Sequence, residues 1–182
     1  MAGDATEREK RAMRDRHVVI TGAMGIGKTT LARHLAGRLD RPLRDSDADI
    51  QSLLGISGVE LAAERSIEAL HELERAVLLG ALVDSSPLVI AAAASVVENG
   101  IVRRALKRRA VVVGLAAPTA VIIERQRSGD HRRSMTPSDV DMLRARRADY
   151  RLEVEDLRLD AQLAPGSLAD SVVEWLHDRR SP

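Results

Sequence analysis

"HVVITGAMGIGKTTLARHLAGRL", residues 17–39, decides the fold. An apolar, strand-like run, His17–Thr21, leads into Gly22-x-x-x-x-Gly27-Lys28-Thr29, and a stretch with helical spacing follows at once. Strand, glycine-rich turn and helix in that order are the context that a phosphate-binding loop requires. Gly22, Gly25 and Gly27 let the backbone curl so that successive N–H groups point inward, and the helix N-terminus adds partial positive charge. Lys28 is placed to reach the β- and γ-phosphates of a nucleotide, and Thr29 to offer its hydroxyl to Mg²⁺, with Thr30 closing the nucleotide-binding set. A glycine-rich turn that merely caps a helix is the plain alternative, but it needs neither the preceding strand nor the lysine.

Working outward, further strand-like runs stand at Leu88–Ala92 and Val111–Leu115, each followed by helical spacing, with weaker candidates in "PLRD" near Pro42 and "LRLDA" near Leu157. Strands alternating with helices mean an α/β fold whose parallel sheet is covered on both faces. Between Gly58 and Leu82 the apolar positions Leu61, Ile67, Leu70, Leu73, Val77 and Leu82 follow the spacing of an amphipathic helix pair. The 182 residues, 45% of them hydrophobic and 30% charged, suit one domain over residues 17–182, preceded by a charged tail, residues 1–16, read as disordered.

Composition removes several function classes. With 28 basic and 27 acidic residues the formal charge is +1, which provides no field to draw the chain onto nucleic acid or an anionic membrane. One tryptophan, one tyrosine and no phenylalanine cannot build a base-stacking platform. Absence of cysteine excludes disulfides, thiolate metal sites and a cysteine nucleophile, and fits a cytoplasmic setting. No run has the length of a membrane span. His17, His34 and His177 lack ligand spacing, and Trp175 falls in the apolar stripe of a terminal helix, where core or interface is expected.

The reaction is narrowed by what the loop lacks and what stands near it. There is no guanine-reading Asn-Lys-x-Asp, and the interior strand ends "LVIAAAAS" without the carboxylate of a motor ATPase. Instead "RDSDADI" places Asp45 seventeen residues past Lys28. Read as extended chain, Asp45 and Asp47 point the same way. Asp45 is then a candidate for the Mg²⁺ shell and Asp47 for the base that takes a proton from an attacking hydroxyl. A solvated acidic loop is the alternative for a lone D-x-D.

Taken together these stretches resemble the shikimate kinases, members of the nucleoside-monophosphate-kinase-like group of P-loop kinases. The likeness rests on "GAMGIGKTTLARHLAGRL", on "RDSDADIQ", on "GVELAAERSIEALHELE" and on "ARRADYRLEVEDLRLDA", and runs from His17 to Leu176. It implies a three-layer fold with a five-stranded parallel sheet, a helical acceptor-binding region after the second strand, and a mobile lid at about residues 127–137, in "RQRSGDHRRSMTP". Arg133, or Arg132 beside it, would stabilise the transferring phosphoryl group from that lid, Arg125 or Arg127 would stack on adenine, and His131 is read as solvated. Arg151 would hold a carboxylate of the acceptor.

Departures from the family pattern fall on the acceptor side. The helix arginine that should join Arg151 is replaced by His71, which lacks the two-pronged grip of a guanidinium. A Gly-Gly-Gly is replaced by Ala92-Ala93-Ala94, which either reshapes the pocket around Ala93, with alanines strained at positive φ, or packs as an ordinary buried strand. The resulting expectation is transfer of the γ-phosphoryl group of ATP, with Mg²⁺, to a hydroxyl of shikimate or a related polar metabolite, by a monomer or weak homodimer. Another cyclitol, sugar or polyol remains open as acceptor. So do a nucleotide-binding module with a degenerate acceptor site, and a nucleotide-dependent partner of a larger assembly.

Overall fold

The structure, a computed structural model, describes residues 15–128 and 135–178. Residues 1–14, which hold most of the expected tail, lie outside them, as do residues 129–134, at the centre of the expected lid. Five strands, β1 (His17–Thr21), β2 (Leu43–Asp45), β3 (Val89–Ala91), β4 (Ala110–Ala116) and β5 (Leu157–Asp160), form one parallel sheet in the order β2-β3-β1-β4-β5. Both weak strand candidates are therefore strands, and they form the two edges of the sheet.

Alternation along the central strands explains why both faces are covered. Val18 and Ile20 of β1, with Val111, Val113 and Leu115 of β4, face one core, which α1 (Lys28–Leu39) closes through Leu31, Ala32 and Leu35. The last helix, α8 (Pro165–Asp178), adds Leu168, Ala169, Val172 and Leu176 to that core, and Trp175 packs against its margin. Val19 and Val112 point the other way, into a second core built with Leu78, Ala81 and Leu82 of α4 (Ile67–Leu82) and Val102 and Leu106 of α5 (Gly100–Arg109). A strand buried on both faces has to be apolar throughout, which is why "HVVI" and "VVVGL" carry no alternating polar residues.

The expected helix pair between Gly58 and Leu82 is α3 (Gly58–Glu64) and α4. Ser57 and Glu60 close a capping box at the start of α3, and Ser66 accepts the Ala69 N–H at the start of α4. The helical region expected after the second strand begins sooner than the extended reading of "RDSDADI" allows: α2 (Ser46–Leu54) follows β2 directly. The remaining elements are a short 3₁₀ turn at Val96–Glu98, α6 (Thr119–Arg127) and α7 (Pro137–Val154), the last started by a Thr136–Asp139 capping box with proline at its first position. The C-terminal ends of β1, β2 and β3 converge where the chain order reverses, the place in such sheets where ligands bind.

Candidate active site

The glycine-rich loop between β1 and α1 adopts the curl its spacing requires. Gly22, Gly25 and Gly27 have φ of 148°, 82° and 110°, all in the region closed to residues with a side chain. At Gly22 a Cβ would also lie 3.0 Å from the Leu115 carbonyl oxygen and from Ile26, so the first turn of the loop has no room for one. Lys28 arches back over the loop, its Nζ donating to the carbonyls of Ala23 at 3.0 Å and Gly22 at 3.3 Å. Helix α1, with Gly27 at its N-cap, has no side-chain cap hydrogen bond and no acidic residue in its first turn, so its N-terminal dipole favours an anion there.

Asp45, the last residue of β2, joins the loop. Thr29 Oγ1 donates to Asp45 Oδ2 at 2.6 Å, while Asp45 Oδ1 accepts the backbone N–H groups of Asp47 at 3.0 Å and Ala48 at 3.4 Å. The second contact corrects the extended reading of "DSD": by capping the chain, Asp45 starts α2, and Asp47 is the second residue of a helix instead of a neighbour on one strand face. Asp47 is exposed on that first turn, and its charge is felt by Glu74.

Glu74 was missed by sequence reasoning, although "LHELE" contains it. Only 8% exposed, it accepts a hydrogen bond from the Ser95 hydroxyl. Burial pushes its carboxyl above the usual range, the Ser95 bond opposes this, Asp47 adds to the rise, and Arg147 and Lys28 draw it down. Phosphate loop, α2, α4 and α7 thus meet electrostatically around one carboxyl. His71, one turn before Glu74 on α4, is half-buried, and burial followed by the charge of Arg147 lowers its pKa. The lowered pKa favours the neutral imidazole near neutral pH, a poorer partner for an anion than a guanidinium.

The basic residues on α7 make up the far wall. Arg144, Arg147 and Arg151, at helical spacing on one face, line a cavity with Thr21, Gly22 and Ala94. Arg151, the residue the resemblance selected, does reach the cavity, but its Nε donates to Glu155 at 2.5 Å and its Nη2 to the Leu115 carbonyl at 2.8 Å. Arg147, a turn earlier, donates from Nε to Glu98 at 2.7 Å and is the arginine that acts on both His71 and Glu74. The expected strain at Ala92-Ala93-Ala94 is absent, because among the described residues Asp40 alone has positive φ without being glycine. Ala92 and Ala93 belong to the core and Ala94 faces the cavity, so the pocket position is one residue beyond the expected Ala93.

Arg125 braces the loop from behind, with Nη1 on the Ile26 carbonyl and Nη2 on the Ala161 carbonyl, both at 2.8 Å. Arg127 is exposed at the last residue of α6, and Thr30 is exposed on α1. His131, Arg132 and Arg133 lie outside the described residues. Among the described residues no three His, Cys, Asp or Glu side chains gather into a metal cluster, and no helix is long and apolar enough to cross a membrane.

A curled loop with its lysine inside, an acid at the end of β2 bonded to Thr29, and a basic wall on α7 define the class of P-loop kinases. A family model, Shikimate kinase, matches residues 24–177. Among curated proteins, shikimate kinase from Brucella canis is 29% identical over 149 residues, 82% of this chain and 74% of its own length. Shikimate kinase from Caulobacter vibrioides is 32% identical over 120 residues, 66% of this chain and 60% of its own. The shikimate kinase from Acinetobacter baumannii, solved in complex with shikimate, superposes with a TM-score of 0.86 at 23% identity, covering 95% of this chain and 99% of that one. The enzyme from Bacteroides thetaiotaomicron gives 0.80 at 22% identity, covering 89% and 98%. At those identities the superpositions establish the fold. The chain belongs to the shikimate kinase family, and it is a shikimate kinase-like, ATP-dependent phosphotransferase with an alcohol as acceptor.

Proposed function

We propose that the enzyme moves the γ-phosphoryl group of ATP to a hydroxyl of shikimate or a closely related polyhydroxylated acceptor in the cytoplasm. The observation that carries this reading is the Thr29–Asp45 hydrogen bond of 2.6 Å, which ties an acid to the phosphate loop from the strand end beside the acceptor helices. Thr29 and Asp45 offer the hard oxygen donors that Mg²⁺ prefers, and they would hold the ion together with phosphate oxygens. When bound, the ion would offset charge on the β- and γ-phosphates.

The chain's own side chains divide the remaining work. The loop N–H groups and Lys28 bind and orient the triphosphate, with Gly22, Gly25, Gly27 and Thr30 shaping the cradle. Asp47, on the exposed first turn of α2, orients the acceptor hydroxyl and accepts its proton. Arg133 closes over the transferred group and Arg125 or Arg127 meets the adenine. Arg151, which the family resemblance points to, and Arg147 one turn before it both line the cavity and are the candidates for a carboxylate of the acceptor, Arg151 also donating to Glu155 and the Leu115 carbonyl and Arg147 to Glu98.

A neutral polyol is the second reading, favoured by two observations. Burial lowers the pKa of His71 and so disfavours its cation, and Arg147 already donates to Glu98 at 2.7 Å. ADP release with Mg-ATP across shikimate, quinate, inositols and sugars separates the two. Shikimate turnover well above every neutral acceptor supports the first. With His71→Arg, the affinity for a carboxylated acceptor should rise about tenfold or more, the worth of one charge-assisted pair. Unchanged calorimetric affinity for shikimate in that variant would favour the neutral polyol.

A further inference from the structure

We propose that Glu155 is a positioning residue for the phosphate loop, acting through Thr21 and Arg151. It rests on the reading of Gly22–Thr30 as the nucleotide site. Glu155 caps the end of α7, far from the nucleotide-binding glycines in sequence, yet its side chain is only 3% exposed. Its Oε1 accepts the Thr21 hydroxyl at 3.2 Å and Arg151 Nε at 2.5 Å, and its Oε2 accepts Arg158 Nε at 2.9 Å and Nη2 at 2.7 Å. A carboxylate so buried is kept only where its lone pairs are answered, and here one hydroxyl and two guanidinium groups answer them.

The place of the carboxylate gives it a purpose. Thr21 is the last residue of β1 and stands in register with Gly114 of β4, so the carboxylate lies over the final pair of the two central strands, at the point where the chain turns into the loop. Gly114 leaves the room: a Cβ there would sit 2.1 Å from the Glu155 carboxyl carbon. From the same carboxylate, Arg151 reaches on to the Leu115 carbonyl at 2.8 Å, and that carbonyl is the atom that crowds Gly22, 3.0 Å from where its Cβ would be. Both sides of the loop's first residue are therefore fixed by one group: Thr21 directly, and Leu115 through Arg151. Neither contact touches the nucleotide cradle itself, so the effect is on the placement of the loop and on the orientation of Arg151 along the cavity wall.

Isothermal titration of ADP with Mg²⁺ into the full chain tests this, because it reads site number and affinity separately. Glu155→Gln preserves shape and removes the charge that holds Arg151. It should weaken ADP about tenfold with the number of sites unchanged, the scale of losing a hydrogen bond to a charged group. Combined with Arg151→Gln, the loss should be less than the sum of the two single losses, as for residues that act through one contact. Thr21→Val, which deletes only the hydroxyl, should weaken ADP by a smaller factor and decides the matter if Glu155→Gln does not fold. A purely structural role would instead lower the number of sites or the melting temperature and leave the affinity of the folded fraction alone, and that result overturns the proposal. Should the unaltered protein bind no ADP, the nucleotide-site reading itself falls, an outcome distinct from normal binding that the variants leave unmoved.

Discussion

Asp45 does two things with one carboxylate, and the second hid the local structure from the sequence. One oxygen meets the Thr29 hydroxyl and the other meets two backbone N–H groups at the start of α2. Its link to the loop was legible, because a short acid-bearing segment after a strand near a phosphate loop has few other uses. The direction of Asp47 was not, since alternation along a strand and capping of a helix predict different orientations for a residue two places on. Arg147, Glu74 and Glu98 were hidden for another reason: they meet across α4, the 3₁₀ turn and α7, and no spacing within one segment records such a meeting. Arg147 and Arg151 are one turn apart on the same helix face and both line the cavity, although the family motif pointed to Arg151 alone. At this scale the account predicts that Asp47→Asn lowers kcat by roughly 10²-fold or more, the usual worth of a general base, with little change in nucleotide affinity. Equal losses in both, measured by steady-state kinetics and ADP titration, would remove Asp47 from that role.

Among the elements, the three apolar strands and the helix after the loop were plain in the sequence because burial on both faces leaves them without polar interruptions. β2 and β5 were faint, being three and four residues at the sheet's edges with half-exposed positions. Ala92-Ala93-Ala94 was ambiguous for a physical reason: alanine fits both a packed segment and a pocket wall, and only the backbone angles and neighbours separate them. Helix α4 carries both His71 and Glu74, and Ser66 caps it by accepting the Ala69 N–H at 3.1 Å. Ser66→Ala should cost about 1 kcal/mol of stability, read from urea unfolding, because the orphan N–H groups of the first turn lose their acceptor. No change in the unfolding midpoint would mean that α4 is held by its packing against the sheet alone.

Across the whole molecule, the two cores meet at β1, and His17 begins that strand at 3% exposure. Its Nδ1 accepts the Leu88 N–H at 3.2 Å, a bond only the neutral ring can make. Burial is the main cause of its lowered pKa, aided by Arg109 and Arg41 and opposed by the Leu82 carbonyl and Asp84. Because the unfolded chain takes up that proton first, stability is complete above about pH 6.5 and is lost as pH falls through that value toward the lowered folded pKa. His71 acts in the same sense. Glu74 acts in the opposite one, since its raised pKa lets the fold take the proton before the unfolded chain does. Melting temperature should therefore decline between pH 7 and the region just below 6, with a flatter slope in His17→Gln, and an identical slope in that variant would show that His17 does not set it.

The central claim is that the loop after β1 grips the triphosphate through Lys28, whose Nζ lies over the Gly22 and Ala23 carbonyls. Acceptor-dependent ADP release by Lys28→Ala, set against the unaltered enzyme, tests it most directly. The account predicts a loss of at least about 10²-fold in turnover with only a modest change in melting temperature. Turnover equal to that of the unaltered enzyme would contradict it.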